Sequence, residues 1–180
     1  MSRSARPLGA LTLLGILGSQ AAVWPQDNTP ASRKALPDGV YAVRRDSPKE
    51  KEVLPLKDRE ALAVHNHRYL NKGENEPPRF LVVRPVPEVT LDLAGAPKAQ
   101  KEGEGVVRIL LTLRPPAAAA LERLTRAQRG KLVAVIVGGE VVTVHKVREV
   151  IRGGDVQITS CAAGAAGYIL KQLQAHRKDK

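Results

Sequence analysis

Two histidines lie two residues apart in His65-Asn66-His67, and their imidazoles could approach one metal ion. In a strand, residues i and i+2 share a face, whereas in a helix they point apart by about 200°. No cysteine, aspartate or glutamate is grouped with the pair at the spacing typical of metal ligands. We therefore predict a polar surface pair and no metal site.

Cys161 is the single cysteine, so no internal disulfide can form. Paired with His145 or His176, it could in principle provide a thiol–imidazole nucleophile. Its predicted position at the start of a helix would favour the thiolate. Because no oxyanion-hole motif and no third orienting residue accompany these groups, we predict a small, partly buried structural cysteine and no catalytic site.

Two glycine pairs, Gly138-Gly139 and Gly153-Gly154, are the remaining candidates for a ligand site. A P-loop or a dinucleotide-binding loop needs a glycine-rich turn that opens a helix, and neither pair fits that pattern. Gly138-Gly139 instead has the length of a two-residue hairpin turn, in which positive φ is required. Both pairs predict turns between strands, and we assign no cofactor.

The composition indicates a basic, aliphatic protein of one domain, or of one domain with extensions. The 180 residues include 29 Lys plus Arg and 18 Asp plus Glu, a formal net charge of +11. Such a charge favours anionic partners, such as phospholipid surfaces, nucleic acid or acidic proteins. Aromatic residues make up only 3% of the chain, so few side chains could stack on bases. We predict no nucleic-acid partner.

The N-terminus has the pattern of a secretory signal peptide over residues 1–21. Arg3 and Arg6 form a positive n-region, an apolar run covers 8–17, and Ser19-Gln20-Ala21 has the small residues of a cleavage site. The run is shorter than the roughly 20 residues needed to span a bilayer. We expect cleavage after Ala21 and a soluble protein in the periplasm or cell envelope. An uncleaved anchor or a buried helix is the alternative.

Residues 22–37 are rich in proline, polar and small residues, and predict a flexible linker. Residues 38–104 predict a strand-rich N-terminal part, whose apolar runs are short and interrupted by prolines. The predicted elements are a strand at 40–44, the start of another at 53–54, a helix at 55–70, a strand at 79–84, a half-buried strand at 87–93 and a loop at 94–104.

Residues 105–176 contain the longest apolar patterns, and a basic tail follows at 177–180. Pro115-Pro116 can open a helix and Gly130 can end it, while six consecutive apolar residues at 132–137 predict a strand covered on both faces. The other predicted elements are a strand at 106–113, a returning strand at 141–151 bent near Lys146, a strand around 156–159 and a helix at 162–176. The order β-α-β-β-β-α predicts an α+β fold: an antiparallel sheet with helices packed on one face.

Five short motifs occur in a fixed order in this half. They are a Leu124-Thr125 helix end, Gly130-Lys131 before an apolar strand, the glycine hairpin at 138–139, Val147-Arg-Glu-Val-Ile151, and Gly153-Gly-Asp-Val-Gln-Ile-Thr159. In order and spacing they resemble the periplasmic head subdomain of the protein-export membrane protein SecD over residues 105–176. The Ser-Ala-Pro that follows the hairpin in that family is replaced by Thr143-Val-His145, and residues 38–104 do not clearly match.

The resemblance implies an α+β head that contacts polypeptide or partner proteins. SecD also has transmembrane helices that use proton flow to help pull exported chains across the membrane, and this sequence has no counterpart of those helices. We therefore predict an exported, non-enzymatic module that binds a protein partner or an unfolded polypeptide through a sheet edge and a basic surface. The alternatives are a structural envelope protein held by charge to an anionic membrane, and an envelope enzyme that uses Cys161 or the His65/His67 pair.

Overall fold

The computed structural model describes residues 35–66, 69, 77–102 and 106–178. The predicted signal peptide at 1–21 and most of the predicted linker at 22–37 lie outside this part. The described residues belong to one compact unit.

The described residues form short strands followed by a regular C-terminal half. In chain order the elements are β1 (Gly39–Ala42), β2 (Arg45–Ser47), α1 (Glu50–Val53), β3 (Ala61–His65), β4 (Arg79–Val83), β5 (Val89–Thr90), β6 (Lys98–Lys101), β7 (Val106–Thr112), α2 (Pro115–Ala127), β8 (Leu132–Val137), β9 (Glu140–Lys146), β10 (Asp155–Ala162) and α3 (Ala163–Lys178). The predicted β-α-β-β-β-α order and the α+β class are confirmed.

The described strands pair in three antiparallel sheets. Sheet I has the order β5-β1-β8-β9, sheet II the order β10-β7-β6, and sheet III the order β2-β4-β3. Strand β1 therefore pairs with β8, almost a hundred residues later in the chain, with Val40 opposite Val135. These long-range pairs join the N-terminal strands to the C-terminal half.

Strand β8 is covered on both faces, as its continuous apolar run predicts. Val133, Val135 and Val137 belong to a core cluster that also contains buried residues of sheet II and of helices α2 and α3. Ala134 and Ile136 belong to a second cluster, with buried residues of sheet III. Both long helices contribute buried residues to the first cluster.

Helix α2 begins and ends where its sequence predicts. Pro115-Pro116 occupy its first turn, where a missing N–H costs little, and the backbone at Arg114 is extended. Its buried residues include Ala117, Leu121 and Leu124, which lie on one face. The helix ends at Ala127, and Gly130 adopts a positive φ of 80° shortly afterwards.

The hairpin between β8 and β9 is closed by Gly138-Gly139. Val137 pairs with Glu140, so the loop has two residues, and their φ angles are 62° and 79°. Both values lie in the region that side chains with a Cβ rarely adopt, which explains the two glycines. The register of β8 and β9 shifts between Val135 and Ile136, so the irregularity lies near the turn and not near Lys146 as predicted.

The helix predicted at 55–70 is wrong, and so is the strand predicted to start at 53–54. Val53 is the last residue of α1, and Ala61–His65 form strand β3. The chain pairs with β4 from Ala61 opposite Val83 to His65 opposite Arg79. Short apolar runs fit a helix or a strand, and here the backbone hydrogen bonds offered by β4 decide between them.

Four further boundaries differ from the predictions. The loop predicted at 94–104 contains strand β6, which pairs with β7 and is exposed throughout. The strand predicted at 87–93 is reduced to β5, although Leu93 bridges to Leu113. Strand β9 ends at Lys146, although the Val147 N–H still donates to the Lys131 carbonyl. Helix α3 continues through residues 177–178, which belong to the predicted basic tail.

Candidate functional site

A groove with a volume of about 760 Å³ runs beside helix α2; we call it the α2 groove. One wall is the helix, and the others come from the end of β1, the segment between β4 and β5, and the turn before β8. The lining residues are Ala42, Val43, Arg44, Arg84, Glu88, Ala120, Arg123, Leu124, Ala127, Gln128 and Lys131.

The helical wall follows from the spacing of residues along α2. Ala120, Arg123, Leu124 and Ala127 stand at i, i+3, i+4 and i+7, which places them on one side of a helix. This side is adjacent to the buried face, because Leu124 belongs to the core and also lines the groove. Alanines at 120 and 127 leave space beside the helix that larger side chains would fill.

The lining is strongly cationic. Arg44, Arg84, Arg123 and Lys131 contribute four positive charges, against the single carboxylate of Glu88. All four basic residues are exposed. Arg44 and Arg84 lie far from Arg123 and Lys131 in the chain, so no local sequence pattern connects the four. The i, i+3, i+4, i+7 spacing of Ala120, Arg123, Leu124 and Ala127 was the one local signal available.

Glu88 shapes the groove through its contacts with β1. Its Oε2 accepts a hydrogen bond of 2.9 Å from the Ala42 N–H, and its own N–H donates to the Val40 carbonyl at 3.1 Å. These bonds hold the segment between β4 and β5 against β1. Val86, two residues before Glu88, is 67% exposed and presents an apolar side chain to solvent.

An ion pair with a buried carboxylate holds the chain next to the groove. The Arg45 guanidinium donates to both carboxylate oxygens of Glu60, at 3.2 Å and 2.9 Å, and also to the Val53 carbonyl at 3.1 Å. The Glu60 side chain is only 4% exposed. A hydrogen bond from the Lys57 N–H, reinforced by the Arg45 guanidinium, lowers the pKa of Glu60. Neighbouring Arg44 lies 3.8 Å from Glu60 and points a second cation at it.

The structure describes one member of the histidine pair. His65 is 2% exposed on strand β3, so its predicted surface position is wrong, while His67 lies outside the described residues. Burial follows from the strand period, since Ala63 and His65 face the interior together. No group of three possible metal ligands occurs among the residues that the structure describes.

The thiol–imidazole candidates belong to different elements. Cys161 lies in β10 of sheet II, His145 in β9 of sheet I, and His176 in α3. The Nε2 of His145 lies 2.9 Å from the hydroxyl of Thr143, and desolvation lowers the pKa of this histidine. A neutral imidazole bound to a threonine does not by itself form a nucleophile–base pair, so the arrangement offers no chemistry that we can assign.

The second glycine pair forms a turn, as predicted. Gly153 and Gly154 have φ angles of 79° and 81° and precede β10. The Gly154 carbonyl accepts a hydrogen bond from the Leu113 N–H at 3.0 Å. The pair therefore aligns β10 with the end of β7.

Comparison with protein-family models shows the family of this chain. A family model described as the SecDF P1 head subdomain matches residues 67–174, more than half of the chain. The chain belongs to this family. The match confirms the resemblance found in the motifs at 105–176 and extends it towards the N-terminus. Within the α2 groove it includes Arg84, Arg123 and Lys131, whereas Arg44 lies before it.

Two solved SecDF structures are similar to this chain. One, described as a membrane component that enhances protein export, shares 32% identity over 47% of this chain and 39% of its own, with a TM-score of 0.40. The other, SecDF in a super-membrane-facing form, shares 28% identity over 51% of this chain and 12% of its own, with a TM-score of 0.43. The similar region is thus less than half of either SecDF chain. A search of curated proteins finds no match.

Among the described residues, no helix is long and apolar enough to cross a bilayer.

Proposed function

We propose that this protein is an exported, non-enzymatic module that binds polypeptide as part of protein export. The observation that carries the proposal is its membership of the SecDF head-subdomain family, since SecDF is described as enhancing protein export. The α2 groove is the binding surface, because it is open, partly apolar and built from four separate segments. The bound segment is part of an unfolded exported chain or of a partner in the export machinery.

A crosslinking experiment in the native cell envelope tests this proposal. A photo-crosslinking side chain at position 127 lines the groove, and the same group at the exposed position 174, on α3, serves as the control. We expect covalent adducts with translocase subunits or exported polypeptides from position 127 only. Equal adducts from both positions, or none with either class of protein, would contradict the proposed function.

Export itself is part of the proposal and has its own test. The signal-peptide pattern at 1–21 leads us to propose cleavage after Ala21 and residence in the periplasm or cell envelope. Intact-mass measurement of protein recovered from its own cells should give a chain that starts at Ala22. A full-length chain in the envelope fraction would favour the anchored alternative, and a full-length chain in the cytoplasm would contradict export.

The net charge of +11 favours a second candidate function, attachment to an anionic membrane surface. Exposed charges act over about 8 Å at physiological ionic strength, so this attachment would be weakened strongly by added salt. Sedimentation with vesicles of anionic lipid, at low salt and at about 0.5 M salt, distinguishes it from apolar insertion. Loss of binding at high salt supports attachment by charge, and absence of binding at low salt excludes it.

A further inference from the structure

The charges in the α2 groove are poorly balanced by its own residues. Four cationic side chains face one carboxylate, which leaves a net formal charge of +3 in a single groove. Among the described residues, Arg84, Arg123 and Lys131 form no ion pair. The remaining cation, Arg44, lies 3.8 Å from Glu60, which is already bound by Arg45.

The one acidic residue of the groove cannot balance these charges. The Oε2 of Glu88 accepts the Ala42 N–H at 2.9 Å, so one oxygen of this single carboxylate already holds two chain segments together. The other arginine on the same helix is paired with a carboxylate. Arg126 forms an ion pair of 2.7 Å with Glu122, on a side of α2 that does not line the groove. The positive charge is therefore concentrated on the groove side.

The space between the cations is lined by small and aliphatic side chains. Ala42, Ala120 and Ala127 leave room there, and Leu124 contributes a larger apolar surface. The cations come from four different segments: Arg44 follows β1, Arg84 follows β4, Arg123 is on α2 and Lys131 precedes β8. A partner that places several separate anions along an extended chain, with small or apolar groups between them, matches this arrangement.

We propose that the α2 groove selects extended polypeptide segments that carry acidic side chains separated by small or apolar residues. This inference rests on the proposed polypeptide-binding function and adds its specificity. Carboxylates of the segment pair with Arg84, Arg123 and Lys131, while its intervening side chains lie against the alanines and Leu124. Complementary charge of this kind sets the choice of partner and the rate of encounter more than the total affinity.

Three labelled peptides of equal length test the specificity on the purified full chain by fluorescence anisotropy. The first alternates glutamate with alanine and valine, the second has glutamine in place of glutamate, and the third has lysine. We expect the acidic peptide to bind about tenfold more tightly than the glutamine peptide, because two additional exposed ion pairs together correspond to about that change in affinity. The lysine peptide should bind more weakly than either, and the preference should shrink as salt is added.

A matched pair of double variants separates the groove from the net charge. Arg84→Gln with Arg123→Gln removes two groove cations, whereas Arg129→Gln with Arg148→Gln removes two exposed cations that do not line the groove. Both variants lower the net charge by two. We expect only the first to lose the preference for the acidic peptide. Ala127→Trp, which fills the groove at an exposed position, should weaken binding of the acidic and glutamine peptides alike.

The outcomes distinguish this inference from the function on which it rests. Equal binding of all three peptides, with a loss in the Ala127→Trp variant, would overturn the acidic preference and leave polypeptide binding standing. Equal effects of the two double variants would overturn the assignment to the groove. If no peptide binds but anionic vesicles do, and the groove variants release the vesicles, both the specificity and the polypeptide-binding function are overturned in favour of a lipid surface.

Discussion

At the scale of single residues, the pair of Arg45 and Glu60 shows how one carboxylate organises a loop. Glu60 accepts two hydrogen bonds from Arg45 and one from the Lys57 N–H at 2.9 Å, although its side chain is only 4% exposed. Two parallel N–H···O bonds of this kind fix geometry as well as charge. The pair thereby holds the segment between α1 and β3 next to strand β2, which begins directly after Arg44 of the α2 groove.

Glu60→Gln should lower the melting temperature at neutral pH, because the neutral amide has one acceptor oxygen in place of the two charged carboxylate oxygens. The pKa of Glu60 is lowered by folding, so its contribution to stability is present above the ordinary glutamate pKa and is lost as pH falls through the folded value. The difference between wild type and variant should therefore shrink in acid. Thermal unfolding followed by circular dichroism across pH measures it, with Asp58→Asn in the same exposed loop as control.

Gly154 illustrates a different residue-scale constraint, the close approach of two backbones. Its φ is 81°, and a Cβ placed there would lie 2.6 Å from the Cβ of Ala118. At Gly153 the φ is 79°, but a Cβ would meet nothing within 4 Å. A side chain at position 153 would therefore meet only the strain of the backbone conformation, whereas one at position 154 would also clash with α2.

We expect Gly153→Ala to lower the free energy of unfolding by about 1–2 kcal/mol, the cost of a left-handed conformation for an L-residue. Gly154→Ala should cost clearly more, because α2 or the turn must also move. Urea denaturation of both variants measures the difference. Equal losses would show that α2 yields to the extra methyl group without cost.

At the scale of elements, helix α2 contributes one face to the core and another to the α2 groove. A buried hydroxyl attaches the helix to a later part of the chain. Leu121 and Thr125 are buried, while Ala120, Arg123 and Ala127 line the groove. The Thr125 hydroxyl donates to the Leu121 carbonyl at 2.8 Å and accepts from the Ile151 N–H at 3.0 Å. The second bond attaches α2 to the segment that follows β9.

Thr125→Val should lower the free energy of unfolding by about 1–3 kcal/mol, because it keeps the shape but leaves the Ile151 N–H without its acceptor. Thr125→Ser retains the hydroxyl and should recover most of that loss. Chemical denaturation of both variants provides the measurement. If serine is no better than valine, the methyl group rather than the hydrogen bond holds α2 in place.

At the scale of the whole molecule, strand β8 joins two core clusters into one cooperative unit. Val135 contributes to the cluster with sheet II and the long helices, and Ile136 to the cluster with sheet III. Ile136 is fully buried and Val135 is 5% exposed. Since both clusters depend on one strand, neither is expected to unfold without the other.

Ile136→Ala should therefore destabilise the whole described unit by about 2–5 kcal/mol, the usual cost of removing a large buried aliphatic side chain. Val135→Ala should shift the same transition by less, since fewer atoms are removed. Far-ultraviolet circular dichroism and tyrosine fluorescence should report one coincident transition for each variant. Two separate transitions would show that sheet III forms an independent folding unit.

The sequence by itself determined the elements with strong local signals. Pro115-Pro116 and a regular apolar face specify α2, and a six-residue apolar run specifies β8. Gly138-Gly139 specifies the hairpin, because its φ angles of 62° and 79° exclude most other residues. The motifs built on these elements were also enough to identify the family over 105–176, because such signals depend on neighbours in sequence.

Tertiary structure alone decided β3, β6 and the α2 groove. Residues 61–65 and 98–101 become strands because β4 and β7 offer them backbone partners, which no local pattern records. Arg44, Arg84 and Arg123 line one groove only because β1 pairs with β8 and α2 packs beside them. The free energy of those contacts comes from residues distant in the chain, so the positions of these charges follow from packing and not from the order of residues.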